Sequence, residues 1–264
     1  MISDDRYRAP ALDKGLDVLE LLAVVDEGLT QTEIGKRLGR SPAEIFRMLD
    51  RLTKRGYITK LNGDRFAITL KLFSLGQYHA PTRRLVSFAA SFMRDLAQAT
   101  RQANQLVVFD RGEAIVIAQQ EAPDYWGISV RVGSRVGLFD TGSGHVLLAY
   151  QSPEDREMMI TTHSEYSNHT RPDAAFVDRL RQIRERGYEM MPSAQMAGVY
   201  NLAAPILGAN GTCVASLGCP YIPLINTSSP TPDITQSLGL LQSTAREISR
   251  LVGGDVIDGD TSQG

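Results

Sequence analysis

The stretch Leu29–Tyr57, LTQTEIGKRLGRSPAEIFRMLDRLTKRGY, decides the fold, because it carries two helix-start signatures eleven residues apart. Thr30-Gln31-Thr32-Glu33 and Ser41-Pro42-Ala43-Glu44 each place a hydroxyl that can accept from the N3 amide and a Glu that can reach back to the N-cap amide. Pro42 falls at N1, where a missing N–H costs nothing and the fixed φ is already helical. The first helix can run only to about Leu38, since Gly39 breaks it and Ser41 restarts the chain. The turn left between them has the length a helix-turn-helix uses.

Apolar spacing assigns the buried faces. Ile34 and Leu38 line one side of the short helix; Ile45, Leu49 and Leu52 line one side of the longer one. Gly35, inside the first helix, is roughly 1 kcal/mol worse there than alanine, which points to a close backbone approach. Arg47, Asp50, Arg51 and Lys54 lie off the buried stripe. From Glu33 to Lys71 there are ten Lys/Arg against four Asp/Glu, while the whole chain has net charge -2.

A charged helix face is ordinarily just solvated. Here it sits on the second helix of a helix-turn-helix, and a hairpin follows at once: Tyr57–Leu61 and Arg65–Leu70 around Asn62-Gly63-Asp64, with Phe66, Ile68 and Leu70 alternating inward. Two helices and a two-stranded wing make a winged helix-turn-helix, a double-stranded DNA reader. Ser41, Glu44, Arg47 and Arg51 are expected to enter or flank the major groove, with Arg40, Lys54 and Arg65 on phosphates or the minor groove.

At 264 residues the chain is long enough for two domains, and 42% apolar with 22% charged is ordinary for a soluble globular protein. Residues 1–80 carry 13 basic and 11 acidic side chains against 15 and 19 in the remainder, and every lysine lies at or before Lys71. The nucleic-acid reading therefore rests on a local patch. MISDDRYRAP has no apolar core and no apolar run reaches spanning length, so a cytoplasmic protein without membrane contact is expected. Cys213 and Cys219, six apart, fit neither a zinc knuckle nor a disulfide framework and read as small apolar fillers.

The chain divides into a DNA-binding domain (1–70), a linker helix (71–84), an effector domain (85–252) and a disordered tail (253–264). Residues 1–10 read as a loose arm. The first helix, Ala11 to about Val25, has two apolar stripes: Leu12, Leu16, Leu19 and Ala23, and Val18, Leu21, Leu22 and Val25. One can pack on the helix-turn-helix and the other on a second subunit. Lys71–His79 reads as a short helix ended by Pro81, and Leu85, Phe88, Phe92, Leu96 and Ala99 mark the next. Hairpin strands Leu106–Phe109 and Ala114–Ala118 come next, then a strand at Gly127–Val132. Helices at about 143–151, 153–160 and 173–186 follow, then a hairpin, Val199–Leu207 and Thr212–Cys219, around Asn210-Gly211. A last helix spans about Pro232–Val252. Strand hairpins with helices between them predict an antiparallel sheet flanked by helices, giving a two-domain α+β chain.

From Ala11 to Val252 the sequence resembles the IclR family of bacterial transcription regulators. The resemblance is carried by ALDKGLDVLELL (11–22), TEIGKRLGRSPAEIFRMLDRLTKRGYI (32–58), VRVGSRVGLFDTGSGHVLLA (130–149) and RERGYEMMPSAQMAGVYNLAAPILGANGTCVASLGCP (184–220). It implies an N-terminal DNA-binding domain, a linker helix, a GAF-like effector domain, and dimers that often associate into tetramers. It leaves repression or activation open.

Thr141-Gly142-Ser143-Gly144 precedes a helical run, and free amides at a helix start beside glycines suit a carboxylate. The bland alternative is a tight turn. The resemblance moves Gly142 and Ser143 forward as carboxylate contacts to a small-acid effector, with Thr141 a further candidate effector residue. Met190 or Met191 stands where the family's small-acid sensors can place an acidic residue, Asn201 stands near another pocket position, and His145 and Gly137 replace the more common Lys and Pro. If Trp126, Leu138, Phe139 and Met191 line the cavity, it favours an aromatic or otherwise apolar carboxylate; core packing is the alternative for each.

An enzyme is the rival class. Ser143, Asp140 and His145 fail as a triad, since residues two apart on a helix point to different sides and Thr141 breaks the nucleophile-elbow pattern. His79, His145, His163 and His169 show no metal-binding spacing, and no dinucleotide fingerprint is present. No catalytic residue, metal or cofactor is expected. A DNA-binding protein whose C-terminal domain only oligomerises is the second alternative.

Overall fold

In the computed structural model, residues 9–77, 80–124, 127–167, 171–209, 211–224 and 231–253 are described. The chain divides between Ala80 and Pro81 into two compact units.

The first unit opens with α1 (Pro10–Ala23), which buries Val18, Leu19 and Leu22 and leaves Leu12 and Leu16 exposed. Next come β1 (Leu29–Thr30), α2 (Gln31–Leu38) and α3 (Pro42–Lys54). Both helices start as their sequences dictate: the Glu33 amide donates to Thr30 Oγ1 and the Thr30 amide to Glu33 Oε2, with the same reciprocal pair at Ser41 and Glu44. Gly39 caps α2 at φ +61. A Cβ on Gly35 would lie 3.1 Å from the Arg40 carbonyl oxygen and 3.7 Å from Ile45 Cγ1, so the residue is glycine because α2 passes close to the turn and to α3. Val18, Leu22, Leu29, Ile34, Ile45, Leu49 and Ile58 form one buried core.

The wing is β2 (Ile58–Lys60) and β3 (Arg65–Ile68), joined by a 3-10 turn at Asn62–Asp64 in which Gly63 and Asp64 have φ +74 and +59. The sheet has a third strand that the sequence reading did not contain: β1 pairs antiparallel with β3, in the order β1-β3-β2. Leu70 departs from the expected inward alternation at 77% exposure. Strand β3 ends at Ile68, and the Thr69 amide donates to the Tyr57 carbonyl as the chain turns into α4 (Lys71–Gln77).

Helix α5 (Ala80–Thr100), in the second unit from Pro81 on, starts earlier than the expected Leu85, with Pro81 in its first turn, where proline is tolerated. Pro81 therefore opens a helix. Strands β4 (Asn104–Asp110) and β5 (Glu113–Gln120) form the expected hairpin. The expected strand at Gly127–Val132 is absent from the sheet: the neighbour of β5 is β6 (Arg135–Val136), after a turn in which the Gly133 amide, at φ +85, donates to the Val116 carbonyl. Then come α6 (Gly142–Ala149), α7 (Pro153–Ser167), α8 (Ala174–Arg186, between Asp173 and Gly187 caps), β7 (Glu189–Pro192), β8 (Tyr200–Leu207), β9 (Cys213–Tyr221) and α9 (Ile234–Leu251). Of the second hairpin's turn, Asn210 lies outside the described residues, as do residues 1–8 and the tail after Gly253.

The sheet is antiparallel throughout, in the order β6-β5-β4-β9-β8-β7. Its two faces bury separate cores because side chains alternate along each strand. Leu106, Leu202 and Leu217 pack with Met93 of α5 and Leu241 of α9, whereas Val107, Val116 and Ala203 pack with Val146 of α6, Met159 of α7 and Leu180 of α8. No helix among the described residues is long and apolar enough to cross a membrane.

Candidate nucleic-acid interface and ligand cavity

The outward side of α3 is set by its buried stripe. Ile45 and Leu49 are sealed in the core, so Arg47 and Arg51 project to solvent. Among the described residues neither side chain forms an ion pair or hydrogen bond. The other expected contacts are already engaged. Glu44 holds Lys14 of α1 at 2.5 Å, and that bond, followed by those from the Ser41 hydroxyl and amide, lowers its carboxyl to about 2. Arg40 reaches Asp17 at 3.4 Å and Lys54 pairs with Asp50 at 2.9 Å. Arg65 lies at the root of the wing, donating to the Gly28 carbonyl at 3.3 Å and pairing with Glu33 at 3.2 Å. Exposed ion pairs are worth little, so Arg40 and Lys54 can exchange a carboxylate for a phosphate at small cost. Phe46 is a further outward side chain, 60% exposed beside Arg47; its position outside the Ile45/Leu49/Leu52 stripe is its signal in the sequence.

In the second unit a cavity of about 280 Å³ lies at the start of α6. Thr141 caps the helix, its Oγ1 accepting from the Gly144 amide at 3.1 Å, and the His145 amide makes the first helical bond, to the Thr141 carbonyl. The Gly142 and Ser143 amides come before that first bond, at the positive end of the helix dipole. Thr141, Gly142, Ser143 and Asn201 all line the cavity, together with Gln105, Ser193, Gln195 and an apolar wall of Ile128, Val130, Met196 and Val199. Gln105 is only 8% exposed, and its Oε1 and the Asn201 Nδ2 are buried without a protein partner. Strand β9 makes room for Ser143 and Gln105. A Cβ on Gly218 would stand 2.6 Å from Ser143 Oγ and 3.2 Å from Gln105 Nε2.

Three expected lining residues are elsewhere. Leu138 is fully buried in the core beneath α6, because the Thr141 hydroxyl bonds back to the Gly137 carbonyl and folds the loop inward. Phe139 stacks edge-to-face on His163 and Phe176, and with Met191 borders a separate shallow depression beside α8. Trp126 lies outside the described residues. The apolar wall is supplied instead by the segment once expected to be a strand, through Ile128 and Val130.

His145 is occupied structurally. Its Nδ1 lies 3.0 Å from Glu189 and its Nε2 2.8 Å from the Phe139 carbonyl, so it takes no part in a triad with Ser143, while Asp140 accepts from Gln195. Glu189, with no exposed surface, also accepts from Arg179, Arg186 and the Met190 amide. Burial would push its carboxyl up, but the bonds from His145 and Arg179 and their charges hold it at about 2. Among the described residues no group of His, Cys, Asp and Glu could hold a metal ion. Both cysteines are buried, and burial raises their thiols to about 12.

Residues 11–61 match the IclR helix-turn-helix domain, and residues 79–250 match the C-terminal domain of bacterial IclR transcriptional regulators. The chain belongs to the IclR family. It is 30% identical over 219 residues to the HTH-type transcriptional regulator BhcR of Paracoccus denitrificans, covering 81% of this chain and 78% of that one. It is 28% identical to the p-hydroxybenzoate hydroxylase transcriptional activator of Acinetobacter baylyi, covering 91% of each. An IclR homologue from Microbacterium hydrocarbonoxydans, solved in complex with 4-hydroxybenzoate, shares the fold with a TM-score of 0.73 at 22% identity, over 92% of this chain and 98% of that one. The IclR domains and these relatives are transcriptional regulators, not enzymes.

Proposed function

We propose that this IclR regulator binds a palindromic operator as a dimer and is controlled by a small organic acid seated at the start of α6. One observation carries the effector reading: Gln105 Oε1 and Asn201 Nδ2 are buried without partners, and both residues line the same cavity as Gly142 and Ser143 at the start of α6. Leaving such groups unsatisfied costs roughly 1–3 kcal/mol each; a carboxylate oxygen can accept from Asn201 Nδ2, while the Gln105 Oε1 acceptor calls for a donor on the ligand such as a hydroxyl. The cavity lining offers amides and hydroxyls near a helix N-terminus together with Arg135, itself paired with Glu113, and both favour a carboxylate. The same cavity is lined by Ile128, Val130, Met196 and Val199, apolar side chains suited to an apolar body, an aromatic ring included. Arg47 and Arg51 supply the outward cations for DNA, and a two-fold dimer fits a palindromic site. The acid acts by preferring one arrangement of the dimer over another, with α4 and the start of α5 the connection through which the change passes.

The test is a thermal-shift series of benzoate and 4-hydroxybenzoate against acetate and glyoxylate, followed by titration of each stabilising acid into operator-bound protein. Stabilisation by an aromatic acid with a change in operator affinity supports the reading. Stabilisation by short aliphatic acids alone overturns the aromatic class, and indifference of operator binding to every acid leaves a second domain that only oligomerises.

A further inference from the structure

This inference rests on the DNA-binding reading above and concerns which base α3 recognises. Phe46 is 60% exposed, an aromatic ring with no place in the core that Ile45 and Leu49 occupy on either side of it in sequence. Pro42 and Ala43, also exposed, precede it by four and three residues, so the three share one side of the helix. They form an apolar patch in the N-terminal half of α3, the part of a recognition helix that meets base edges. Apart from Arg47, the polar groups of that half are committed elsewhere. Ser41 Oγ accepts from the Glu44 amide and donates to its carboxylate, and the same carboxylate holds Lys14. In the major groove the apolar feature of a base edge is the thymine C5 methyl.

We propose that Phe46, backed by Pro42 and Ala43, packs on a thymine methyl in each operator half-site and is a specificity-determining residue of this regulator. An arginine at the next position, Arg47, suits a guanine, so each half-site pairs one methyl contact with one bidentate hydrogen-bond contact.

The experiment selects duplexes from a randomised pool with the full-length chain, then replaces each enriched thymine singly by deoxyuridine, which removes the methyl and keeps the base pair. The wild type is expected to lose roughly four-fold in affinity at one thymine per half-site, the ratio for burying one methyl-sized group. Phe46→Ala is expected to bind thymine and uracil duplexes equally, and Phe46→Leu to keep part of the discrimination. Equal thymine-to-uracil ratios for wild type and Phe46→Ala, or no enriched thymine at all, overturn the proposal while DNA binding stands. A Phe46→Ala change in oligomeric state with an unchanged ratio assigns the ring to a protein contact and also overturns it. If the wild type enriches no sequence, the DNA-binding reading itself falls, and this proposal with it.

Discussion

Arg47 and Lys54 stand two turns apart on α3 and are set up for different work. Arg47 projects free among the described residues, whereas Lys54 is paired to Asp50 at 2.9 Å. Arg47→Ala is expected to cost roughly 1–3 kcal/mol on the preferred operator and to relax selectivity at one base pair. Lys54→Ala is expected to weaken binding to all duplexes alike and to lower the slope of log affinity against log salt by about 1. Titrations at several salt concentrations on specific and scrambled DNA separate the two. In the cavity, Gly218→Ala drives a methyl to 2.6 Å from Ser143 Oγ, so that hydroxyl and Gln105 must move. Effector affinity is expected to fall roughly tenfold, the worth of about one hydrogen bond, with a stability loss of about 1–3 kcal/mol. Calorimetry with a stabilising acid and a urea melt measure both; unchanged affinity would remove Ser143 and Gln105 from the site.

At the scale of elements, α6 is pressed onto the loop before it. A Cβ at Gly144 would lie 2.4 Å from the Leu138 carbonyl oxygen and 2.6 Å from that of Gly137, both rigid backbone, while at Gly142 nothing comes nearer than 3.4 Å. Gly144→Ala is therefore expected to destabilise by about 3 kcal/mol and Gly142→Ala by less than about 1 kcal/mol, read from urea midpoints. The elements most legible in the sequence were those whose cause is local. Thr30–Glu33 and Ser41–Glu44 encode two helix starts within four residues each, and Gly187 closes α8 for the same reason. What was not legible depends on distant partners. Strand β1 has only two residues and exists because Phe66 and Arg65 lie opposite Leu29 and Thr30. Residues 127–132 alternate like a strand, yet Ile128 and Val130 face a cavity. The start of α6 announced itself through its glycines and Thr141, but Gln105 joins it only because β4 lies beside β9, a neighbourhood no local pattern records.

For the whole molecule, the buried Glu189 should shape acid stability, beside the partly exposed Glu44, whose carboxyl is also held at about 2. Glu189 is lowered from an ordinary 4.5 to about 2 in the folded chain, so its stabilising contribution is complete above pH 4.5 and fades as pH falls towards 2. That contribution is on the order of 3 kcal/mol, and Glu189→Gln is expected to lose it at neutral pH and to unfold with a flatter dependence between pH 4.5 and 2. Denaturant midpoints across that range check the sign; parallel curves for wild type and variant would mean the cluster around His145 and Arg179 is held by other means.

The boundary between Ala80 and Pro81 also sorts the chain's primary amines. Lys14, Lys36, Lys54, Lys60 and Lys71 all precede it, and the second unit contains no lysine. Amine-directed dyes, cross-linkers and biosensor coupling would thus tether the protein by the very half that must meet a duplex and leave the sensing half untouched, so immobilised assays of operator binding call for attachment through another chemistry.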